Sequence, residues 1–389
     1  AQRSRIRVSS MKIGFDAKRF FFNHSGLGNY SRRLIESLLK YHPEHEYVLY
    51  VDRLDALDKA HPEALRILKC YVHNRSDGTD SYTLVMVDGP KWWRTWGMGK
   101  RAAMDGVDVF HGLSNELPWD LPASVAGVCT IHDVIFKEFP AYYPWLDRLI
   151  YDLKTKKAVQ KAAKLVMTSE ATQRQVEKYY PQAKGRSSVI YQAVDPEFYV
   201  GESSNHWHVS SSPYFVYQSS FTDRKNHAAL VEAFALIHRQ THWNLTMIGL
   251  NGPTLSVVKK QIEQLGLSDR IVCLVDQSRE EMIACVTGAA GFVYPSLNEG
   301  FGIPLAESLA ANLPMAVSNI PVFRELVEDL PVYFHPNNAQ EMAAAMLQIT
   351  LDDEQVRQRL LRPSLKKKIS DENTAQQCVE LYQKVCNRV

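Results

Sequence analysis

The fold of this chain is decided by the stretch PSLNEGFGIPLAESL, which runs from Pro295 to Leu309. It follows a short apolar run typical of a strand and leads into an alanine-rich helical pattern. Pro304 suits the first turn of that helix, where its missing N–H would have no partner in any case. Gly300 and Gly302 let the backbone approach a ligand closely, and the unpaired N–H groups of the helix start favour an anion such as a diphosphate.

Two carboxylates border this turn, since Glu299 lies within it and Glu307 lies one turn into the helix. Negative charge beside a phosphate-binding turn is unfavourable unless hydroxyl groups of a sugar or a ribose donate hydrogen bonds to it. The alternative is an ordinary helix start with a glycine turn and one glutamate that stabilises the helix dipole. Taken alone, the motif leaves both interpretations open.

Two adjacent cations, Arg224 and Lys225, lie between a strand-like run at Tyr214–Tyr217 and a helical pattern at Ala228–Ile237. Open α/β sheets bind ligands at the carboxyl ends of their strands, and cations placed there would neutralise a diphosphate. For an arbitrary Arg-Lys pair, a solvated helix start is the more common explanation. The position of this pair at the ligand edge favours the binding role.

Strands alternate with helices along the chain, which predicts an α/β fold with parallel sheets covered on both faces. The first predicted strands are Lys12–Asp16, Tyr47–Val51, Tyr82–Val87, Val107–His111, Val125–Ile131 and Leu165–Thr168. The pattern restarts after a serine-rich stretch at Gly201–Ser212. The second set is Tyr214–Tyr217, Asn244–Ile248, Ile271–Val275, Gly291–Tyr294, Met315–Val317 and Val332–Phe334. We therefore expect two α/β units joined by a linker, with a last helix at Glu372–Arg388 that could pack on either.

Composition argues against several other classes of protein. The net charge of +2, from 45 basic and 43 acidic residues, gives no global attraction to nucleic acid. The six cysteines form no Cys-x-x-Cys pair, so we expect neither a disulfide framework nor a zinc site, and a reducing cytoplasm fits this usage. No apolar run has the roughly 20 residues needed to span a bilayer. Residues 1–10 are basic without a signal-peptide core, and we interpret them as a tag or an alternative start before Met11.

Four histidines are candidates for functional groups. His111 and His132 end predicted strands, where a structural role is more common than a catalytic one. His206 and His208 lie in the serine-rich stretch, where a solvated loop is the better explanation. None has the spacing of metal ligands, so no metal site is predicted.

Together these motifs resemble the retaining glycosyltransferase family 4, the glycosyl transferases group 1 of GT-B fold, over nearly the whole chain from Met11. The resemblance rests on the two glutamates with seven residues between them and on the upstream Arg-Lys pair. Supporting matches are the loop Gly26-Leu27-Gly28 followed by Tyr30, the dipeptide His132-Asp133 and the segment Ser318–Glu325. By itself a glycine loop of this kind is weak evidence, because such loops also simply open helices.

The resemblance implies two Rossmann-like domains whose parallel sheets face each other across a cleft. The acceptor domain would span residues 11–200, joined by the C-terminal helix at 370–389, and the donor domain would span residues 201–369. The donor would be a nucleotide diphosphate sugar, GDP-mannose or a UDP-sugar. The family needs no metal or other cofactor and retains the anomeric configuration of the transferred hexose, and cations such as Arg and Lys can act where other enzymes use a divalent ion.

The resemblance also implies roles for individual residues. Arg224 and Lys225 would bind the diphosphate, Glu307 the ribose hydroxyls and Glu299 the hydroxyls of the transferred sugar. His132 would lie beside the reacting centre, so the catalytic set comprises His132, Glu299, Arg224 and Lys225. The donor-binding set comprises Gly26, Gly28, Arg224, Lys225, Gly300, Phe301, Gly302, Ile303 and Glu307.

The sequence departs from the family where Gln218–Ser220, Ala193 and Asn312 occupy positions that are often glycine. The larger side chains after the strand at Tyr214–Tyr217 would narrow the approach of the backbone to the phosphates. The donor geometry is therefore expected to differ in detail, while the charged residues are all present.

Two basic segments bear on the acceptor, which the resemblance implies is a saccharide or lipid-linked saccharide in the synthesis of a surface polysaccharide such as lipopolysaccharide. Lys154–Lys164 and Lys91–Trp96 could rest on an anionic membrane and reach a lipid-linked acceptor at the inner face of the plasma membrane. A solvated helix face and tryptophans buried in the core are the favoured explanations.

Three other functions remain open on sequence alone. A nucleotide-sugar epimerase or hydrolase would use the same cleft, and a non-catalytic nucleotide-sugar-binding subunit would keep the phosphate-binding cations. A nucleic-acid-binding protein would need a basic face, which the balanced charge does not favour.

Overall fold

The structure, a computed structural model, describes residues 10–51, 59–72, 78–87, 89–90, 92–199, 212–351 and 362–387. Two segments interpreted above lie largely outside the described residues. They are residues 1–10 and the serine-rich stretch with His206 and His208. Lys91 also lies outside them.

The first half of the chain forms a sheet of parallel strands in the order β3-β2-β1-β4-β5-β6-β7. Its strands are β1 Lys12–Asp16, β2 Glu46–Val51, β3 Tyr82–Met86, β4 Val109–Gly112, β5 Ala126–Ile131, β6 Lys164–Met167 and β7 Ser187–Val189. The central strands are apolar and buried on both faces, as parallel sheets covered by helices require. The edge strand β7 was not predicted, because two of its three residues are serine and all three are only half-buried.

Helices cover both faces of this first sheet. They are α1 Lys18–Phe22, α2 Gly26–Tyr41, α3 Pro62–Cys70, α4 Met98–Met104, α5 Ile135–Glu138, α6 Trp145–Lys161 and α7 Glu170–Tyr179.

The second half forms a sheet of parallel strands in the order β10-β9-β8-β11-β12-β13. Its strands are β8 Tyr214–Gln218, β9 Asn244–Gly249, β10 Ile271–Val275, β11 Gly291–Tyr294, β12 Met315–Ser318 and β13 Val332–Phe334. Its helices are α8 His227–Ile237, α9 Leu255–Gln264, α10 Arg279–Thr287, α11 Ile303–Ala310, α12 Pro321–Val327 and α13 Ala339–Thr350, followed by α14 Pro363–Lys368 and α15 Asp371–Cys386. The prediction of an α/β protein with two parallel sheets is confirmed.

The strand order of each sheet reverses direction at one point, between β1 and β4 in the first sheet and between β8 and β11 in the second. At such a point the connections leave on opposite sides of the sheet and open a crevice at the carboxyl ends of the strands. The two crevices belong to the two halves of the chain. Between them they frame the site described below.

The last helix, α15, returns to the first sheet and packs against α2, β4 and β5. Its Tyr382 hydroxyl lies 2.7 Å from the His111 Nδ1 atom, and the His111 Nε2 atom lies 2.8 Å from the Thr130 hydroxyl. Burial lowers the pKa of His111 to about 3, so the ring is neutral and occupied on both sides. Of the two roles weighed for His111, the structure supports the structural one.

The prediction of a loop at residues 26–28 is wrong, because helix α2 already begins at Gly26. The Asn23 side chain accepts hydrogen bonds from the N–H groups of Ser25 and Gly28, which orders the turn that starts the helix. A Cβ atom at Gly28 would collide with the Asn23 carbonyl oxygen. Gly28 is therefore required by the packing of its own turn.

One contact between the two halves of the chain lies at the start of α7. The carbonyl oxygen of Gly300 accepts hydrogen bonds from the hydroxyl groups of Ser169 (2.7 Å) and Thr172 (2.9 Å) at the start of α7. The Glu325 carboxylate accepts hydrogen bonds from the N–H groups of Glu170 and Ala171 and so caps the same helix. The loop that carries the decisive sequence motif thus also joins the two sheets.

Candidate active site

A cavity of about 340 Å³ lies between the two halves of the chain. From the first half it is lined by the start of α2 and by His61 and Glu63, and from the second half by the ends of β8 and β9 and the start of α11. Four residues predicted for the donor site line it, namely Gly26, Lys225, Ile303 and Glu307.

The Glu299 carboxylate is the centre of a buried ion cluster beside this cavity. Its Oε1 atom accepts hydrogen bonds from the Lys225 ammonium, the Ser296 hydroxyl at 2.6 Å and the Tyr294 hydroxyl at 3.0 Å, and its Oε2 atom lies 3.0 Å from the Arg224 guanidinium. Burial alone would raise the pKa of Glu299, but Arg224 and Lys225 lower it to about 2. Glu299 is therefore ionised at neutral pH and fully paired.

Backbone contacts hold the same two loops together. The Leu297 N–H group donates to the Arg224 carbonyl oxygen over 3.0 Å, and the Asn226 side chain donates to the Pro295 carbonyl oxygen over 3.1 Å. Asn226 has a left-handed backbone, with φ of +60°, which asparagine tolerates better than most residues. The structure thus brings the Arg-Lys pair and the decisive motif to one place, as the sequence predicted.

The structure differs from the prediction in one respect: the positive charges of Arg224 and Lys225 are already neutralised by a carboxylate. Arg224 and Lys225 both contact Glu299, and Arg224 also donates to the Asn298 carbonyl oxygen. Of the two, Lys225 alone lines the cavity. An anionic ligand would have to compete with Glu299 for these groups, since a buried carboxylate already neutralises them.

Glu307 differs from Glu299 in its ionisation, because its pKa is raised and not lowered. It lies on α11, lines the cavity and accepts a hydrogen bond from the Gln218 side chain over 2.9 Å. Burial raises the pKa of Glu307 to about 8, because Gln218 and Arg279 offset only part of the desolvation. Within the described residues the buried Gln218 Oε1 atom has no hydrogen-bond partner, so both side chains can accept hydrogen bonds from a ligand's hydroxyl groups.

The start of α11 is shaped by Gly302, which has a left-handed backbone with φ of +96°. A Cβ atom there would lie 2.9 Å from the Phe323 ring, so only glycine fits without displacing a neighbour. Phe301 is buried against Tyr191, with ring centroids 5.8 Å apart, and is not among the residues that line the cavity. Gly300 packs against the end of β5 and is likewise outside the cavity lining.

His132 follows β5 and is buried behind Tyr30, whose ring meets it edge to face at a centroid distance of 4.6 Å. Its Nε2–H group donates to the Leu113 carbonyl oxygen over 2.8 Å, while its Nδ1 atom lies 3.4 Å from the Gln192 amide. Burial lowers the pKa of His132 to about 4, so the ring is neutral. Tyr30 lines the cavity and His132 does not, and a role for His132 beside the reacting centre stays a prediction.

Sequence reasoning missed several groups of this site. Asp133 follows His132 and is buried within electrostatic range of Arg224 and Glu299, and burial raises its pKa. The sequence feature that could have identified Asp133 is its position directly after His132. Arg279 forms an ion pair with Asp195 at the far end of the cavity, and no sequence motif marked it.

Two departures from the family pattern have a structural explanation. Asn312 adopts a left-handed backbone with φ of +57°, and its side chain accepts a hydrogen bond from Lys366. Ser219 follows β8, and its carbonyl oxygen lies where a Cβ atom at residue 249 would be. Because residue 249 is glycine, the two strand ends can still approach each other closely.

Comparisons with known proteins agree with this geometry. The family model for glycosyl transferases group 1 matches residues 203–362, and that for glycosyltransferase family 4 matches residues 24–198. Together they match most of the chain, one on each sheet. The chain therefore belongs to the group 1 and family 4 glycosyltransferases, and the predictions of this family and of an enzyme are confirmed.

Individual relatives are more distant. O-antigen chain mannosyltransferase B of Escherichia coli is 24% identical over 361 residues, which cover 88% of this chain and 91% of that protein. The mannosyltransferase RfbU of Salmonella typhimurium is 26% identical over 57% of this chain and 60% of its own length. Sucrose-phosphate synthase from Thermosynechococcus elongatus superposes with a TM-score of 0.73 at 18% identity, over 97% of this chain and all of that one. These likenesses support the GT-B fold.

We expect Glu307→Gln to remove a pH-dependent loss of stability. The pKa of Glu307 rises from the ordinary 4.5 to about 8 on folding, so between these pH values the folded state holds a proton that the unfolded state has lost. The stabilising contribution is complete below pH 4.5 and falls by about 1.4 kcal/mol per pH unit as the pH rises toward 8. Urea denaturation at several pH values across this window should show a flatter profile for Glu307→Gln than for the native chain. Equal profiles, or the same flattening in the exposed α9 control Glu263→Gln, would contradict this assignment.

We expect Gly300→Ala to open the cleft. The added Cβ atom would run into the His132 carbonyl oxygen across the contact between the two sheets. Small-angle X-ray scattering should show a larger radius of gyration, and turnover should fall on the order of 100-fold because the two halves no longer meet correctly. Gly26→Ala is the control for scattering, since its Cβ atom would meet no heavy atom within 4 Å. Unchanged scattering and turnover in Gly300→Ala would show that the contact does not set the closed geometry.

Proposed function

We propose that this enzyme is a retaining, metal-independent hexosyltransferase that moves mannose from GDP-mannose to a saccharide or lipid-linked saccharide acceptor during synthesis of a surface polysaccharide. One observation carries the proposal: Lys225, the start of α11 and the acceptor group of Glu307 line one cavity between two parallel sheets, and Arg224 lies next to Lys225 in the ion cluster with Glu299. Cations, free helix N–H groups and a hydroxyl-binding carboxylate are the features that a nucleotide diphosphate sugar requires.

The choice of mannose rests on the relatives. O-antigen chain mannosyltransferase B aligns over most of this chain, and a second relative, the GDP-mannose:cellobiosyl-diphosphopolyprenol alpha-mannosyltransferase of Xanthomonas oryzae, is 30% identical over 38% of it. The structural neighbour HepE of Anabaena was solved with UDP and glucose, at 17% identity. A UDP-sugar is therefore the competing donor in the experiment below.

The ion cluster supports a binding step in which charges are exchanged. The donor diphosphate would draw Arg224 and Lys225 away from Glu299, and Glu299 would then accept hydrogen bonds from hydroxyl groups of the transferred sugar. Before the donor arrives, Arg224 and Lys225 keep the pKa of this carboxylate at about 2, so Glu299 enters the exchange ionised. Glu307 would take the ribose hydroxyls at the other end of the cavity, with Gln218 beside it.

The proposed chemistry breaks the bond between the anomeric carbon and the diphosphate oxygen. Arg224 and Lys225 stabilise the charge that develops on this oxygen, and the acceptor hydroxyl enters on the same face of the sugar through an oxocarbenium-like state. Its proton passes to the departing diphosphate. Neither Glu299, which is ionised, nor His132, whose Nε2–H group is held by Leu113, is available as a proton donor. Positioning and charge stabilisation in a closed cleft supply the acceleration.

We expect GDP-mannose, in a thermal-shift panel of GDP-, UDP- and ADP-sugars without metal, to raise the unfolding midpoint most. A ligand at a hundredfold excess over its Kd stabilises the folded state by about 2.7 kcal/mol. Arg224→Ala should abolish the shift, since it removes a cation that the diphosphate needs. Lys260→Ala on the exposed face of α9 is the control and should keep it.

Two results would contradict the donor assignment. One is the absence of a shift with any nucleotide sugar, and the other is an equal shift in the native chain and in Arg224→Ala. A shift with UDP-sugars alone would overturn the choice of GDP-mannose and leave the diphosphate site in place.

We expect transfer to proceed unchanged in EDTA and to keep the anomeric configuration of the donor. The cations on the loop after β8 take the part that a divalent ion plays in other transferases. Proton NMR of the product, formed with and without EDTA, reports both properties. An inverted product, or activity that is lost in EDTA and restored by Mg²⁺ or Mn²⁺, would overturn this part of the proposal.

A further inference from the structure

Helix α6 turns an apolar face to the solvent. Trp145, Leu146, Leu149, Ile150 and Leu153 are between 48% and 62% exposed, and their spacing places them on one side of the helix. Isolated exposed apolar residues are common on protein surfaces, but five large ones within nine residues form a patch. Such patches mark interaction sites.

The opposite face of α6, which packs on the protein, is polar in the same turns. Asp152 forms an ion pair with Lys137 at 2.8 Å and accepts a hydrogen bond from the Tyr180 hydroxyl over 2.6 Å. Arg148 is half-buried, and within the described residues its buried Nε atom has no hydrogen-bond partner. In these turns the polarity is the reverse of that expected for a surface helix, in which the apolar face packs inward. The last turns of α6 instead bury Thr155, Ala158 and Val159 and expose lysines.

The patch continues into basic and aromatic side chains. The Lys157 ammonium lies 5.9 Å from the ring centroid of Trp119, which meets Trp96 edge to face at 5.6 Å. Trp92 and Trp96 are 61% and 51% exposed. The sequence favours buried core tryptophans in the Lys91–Trp96 segment. Trp93 is buried as expected, but for Trp92 and Trp96 that interpretation is wrong. We use the name α6 surface for Trp92, Trp96, Trp119, Trp145, Leu146, Leu149, Ile150, Leu153, Lys156 and Lys157.

The exposed positions of α6 include cations but no carboxylate. Lys156, Lys157 and Lys161 are exposed, whereas Asp147 and Asp152 are only half-exposed. Leucine and isoleucine flanked by tryptophan and lysine are the residues that insert into the headgroup region of an anionic membrane. A second copy whose α6 helix packed parallel to this one would set the lysines of one helix against those of the other.

The α6 surface begins near the cleft. Tyr143, two residues before the helix, lies within electrostatic range of Asp133, Arg224 and Glu299, and its ring centroid is 6.1 Å from that of Tyr151 on α6. At the other end of the patch, Lys154 forms an ion pair with Glu116 at 3.0 Å. A flat partner that covers α6 would therefore lie beside the opening between the two sheets.

We propose that the α6 surface docks on an anionic lipid bilayer, with the apolar side chains of α6 in the headgroup region and the lysines on acidic lipids. The docked enzyme presents its cleft to an acceptor that is carried on a lipid. This last clause rests on the proposed function, whereas the docking itself does not.

The test is co-sedimentation of the full chain with lipid vesicles. Vesicles of phosphatidylcholine and phosphatidylglycerol in equal parts should bind the enzyme at least about tenfold more tightly than phosphatidylcholine alone, and salt should weaken the binding. Leu149→Glu/Ile150→Glu should lower the affinity for the mixed vesicles about tenfold or more, and Lys156→Gln/Lys157→Gln should lower it severalfold. The matched control Leu236→Glu/Val257→Glu places the same charges at exposed apolar positions of α8 and α9 and should bind as the native chain does.

The outcomes separate docking from catalysis. Vesicle binding needs no donor, so failure of the donor experiments leaves it unaffected. Circular dichroism and the unfolding midpoint confirm that Leu149→Glu/Ile150→Glu is folded. Equal vesicle binding by this variant and the native chain would overturn the proposal. So would a native dimer that the same substitution converts to a monomer without any loss of vesicle binding, because the patch would then bind a second copy of the chain.

Discussion

The candidate active site depends on one buried interaction, the Glu299 carboxylate held between Arg224 and Lys225. These residues follow β8 and β11, which are neighbours where the strand order of the second sheet reverses. Removing one partner from such a cluster leaves an uncompensated charge in a desolvated place, which is strongly destabilising. The cluster therefore holds two loops at fixed positions, and a ligand that replaces Glu299 must supply negative charge of its own.

The loop that holds Glu299 also joins the two halves of the chain. Glu299 belongs to the ion cluster, and the next residue, Gly300, receives hydrogen bonds from the start of α7 in the other half of the chain. A single peptide bond therefore separates the ion cluster from this contact between the two halves. The donor binding proposed above would therefore act on the same loop that joins the two halves, as in enzymes that complete their site by closing around the substrate.

The two carboxylates of the candidate site, Glu299 and Glu307, differ in ionisation because their surroundings differ. Glu299 has two cations beside it, and its pKa lies at about 2, whereas Glu307 has mainly an amide partner, and burial raises its pKa to about 8. Spacing in the sequence identified both residues but assigned no difference in ionisation. That difference arises from which residues of β8 and its following loop reach each carboxylate: Gln218 reaches Glu307, and Lys225 reaches Glu299.

By itself the sequence determined the local elements: most strands of both sheets, the turn at Gly300–Gly302 with Pro304 in the helix start, and the class of enzyme. The strands and the turn follow from residue periodicity and from the backbone preferences of glycine and proline, which act over a few residues. The class of enzyme follows from the resemblance of the motifs to a known family. Tertiary structure alone decided that Glu299 neutralises the Arg-Lys pair, that His111 belongs to the packing of α15 and that α6 turns its apolar face outward. Each of these features depends on which distant segments become neighbours when strands pair and helices pack. Short-range sequence patterns do not predict such contacts.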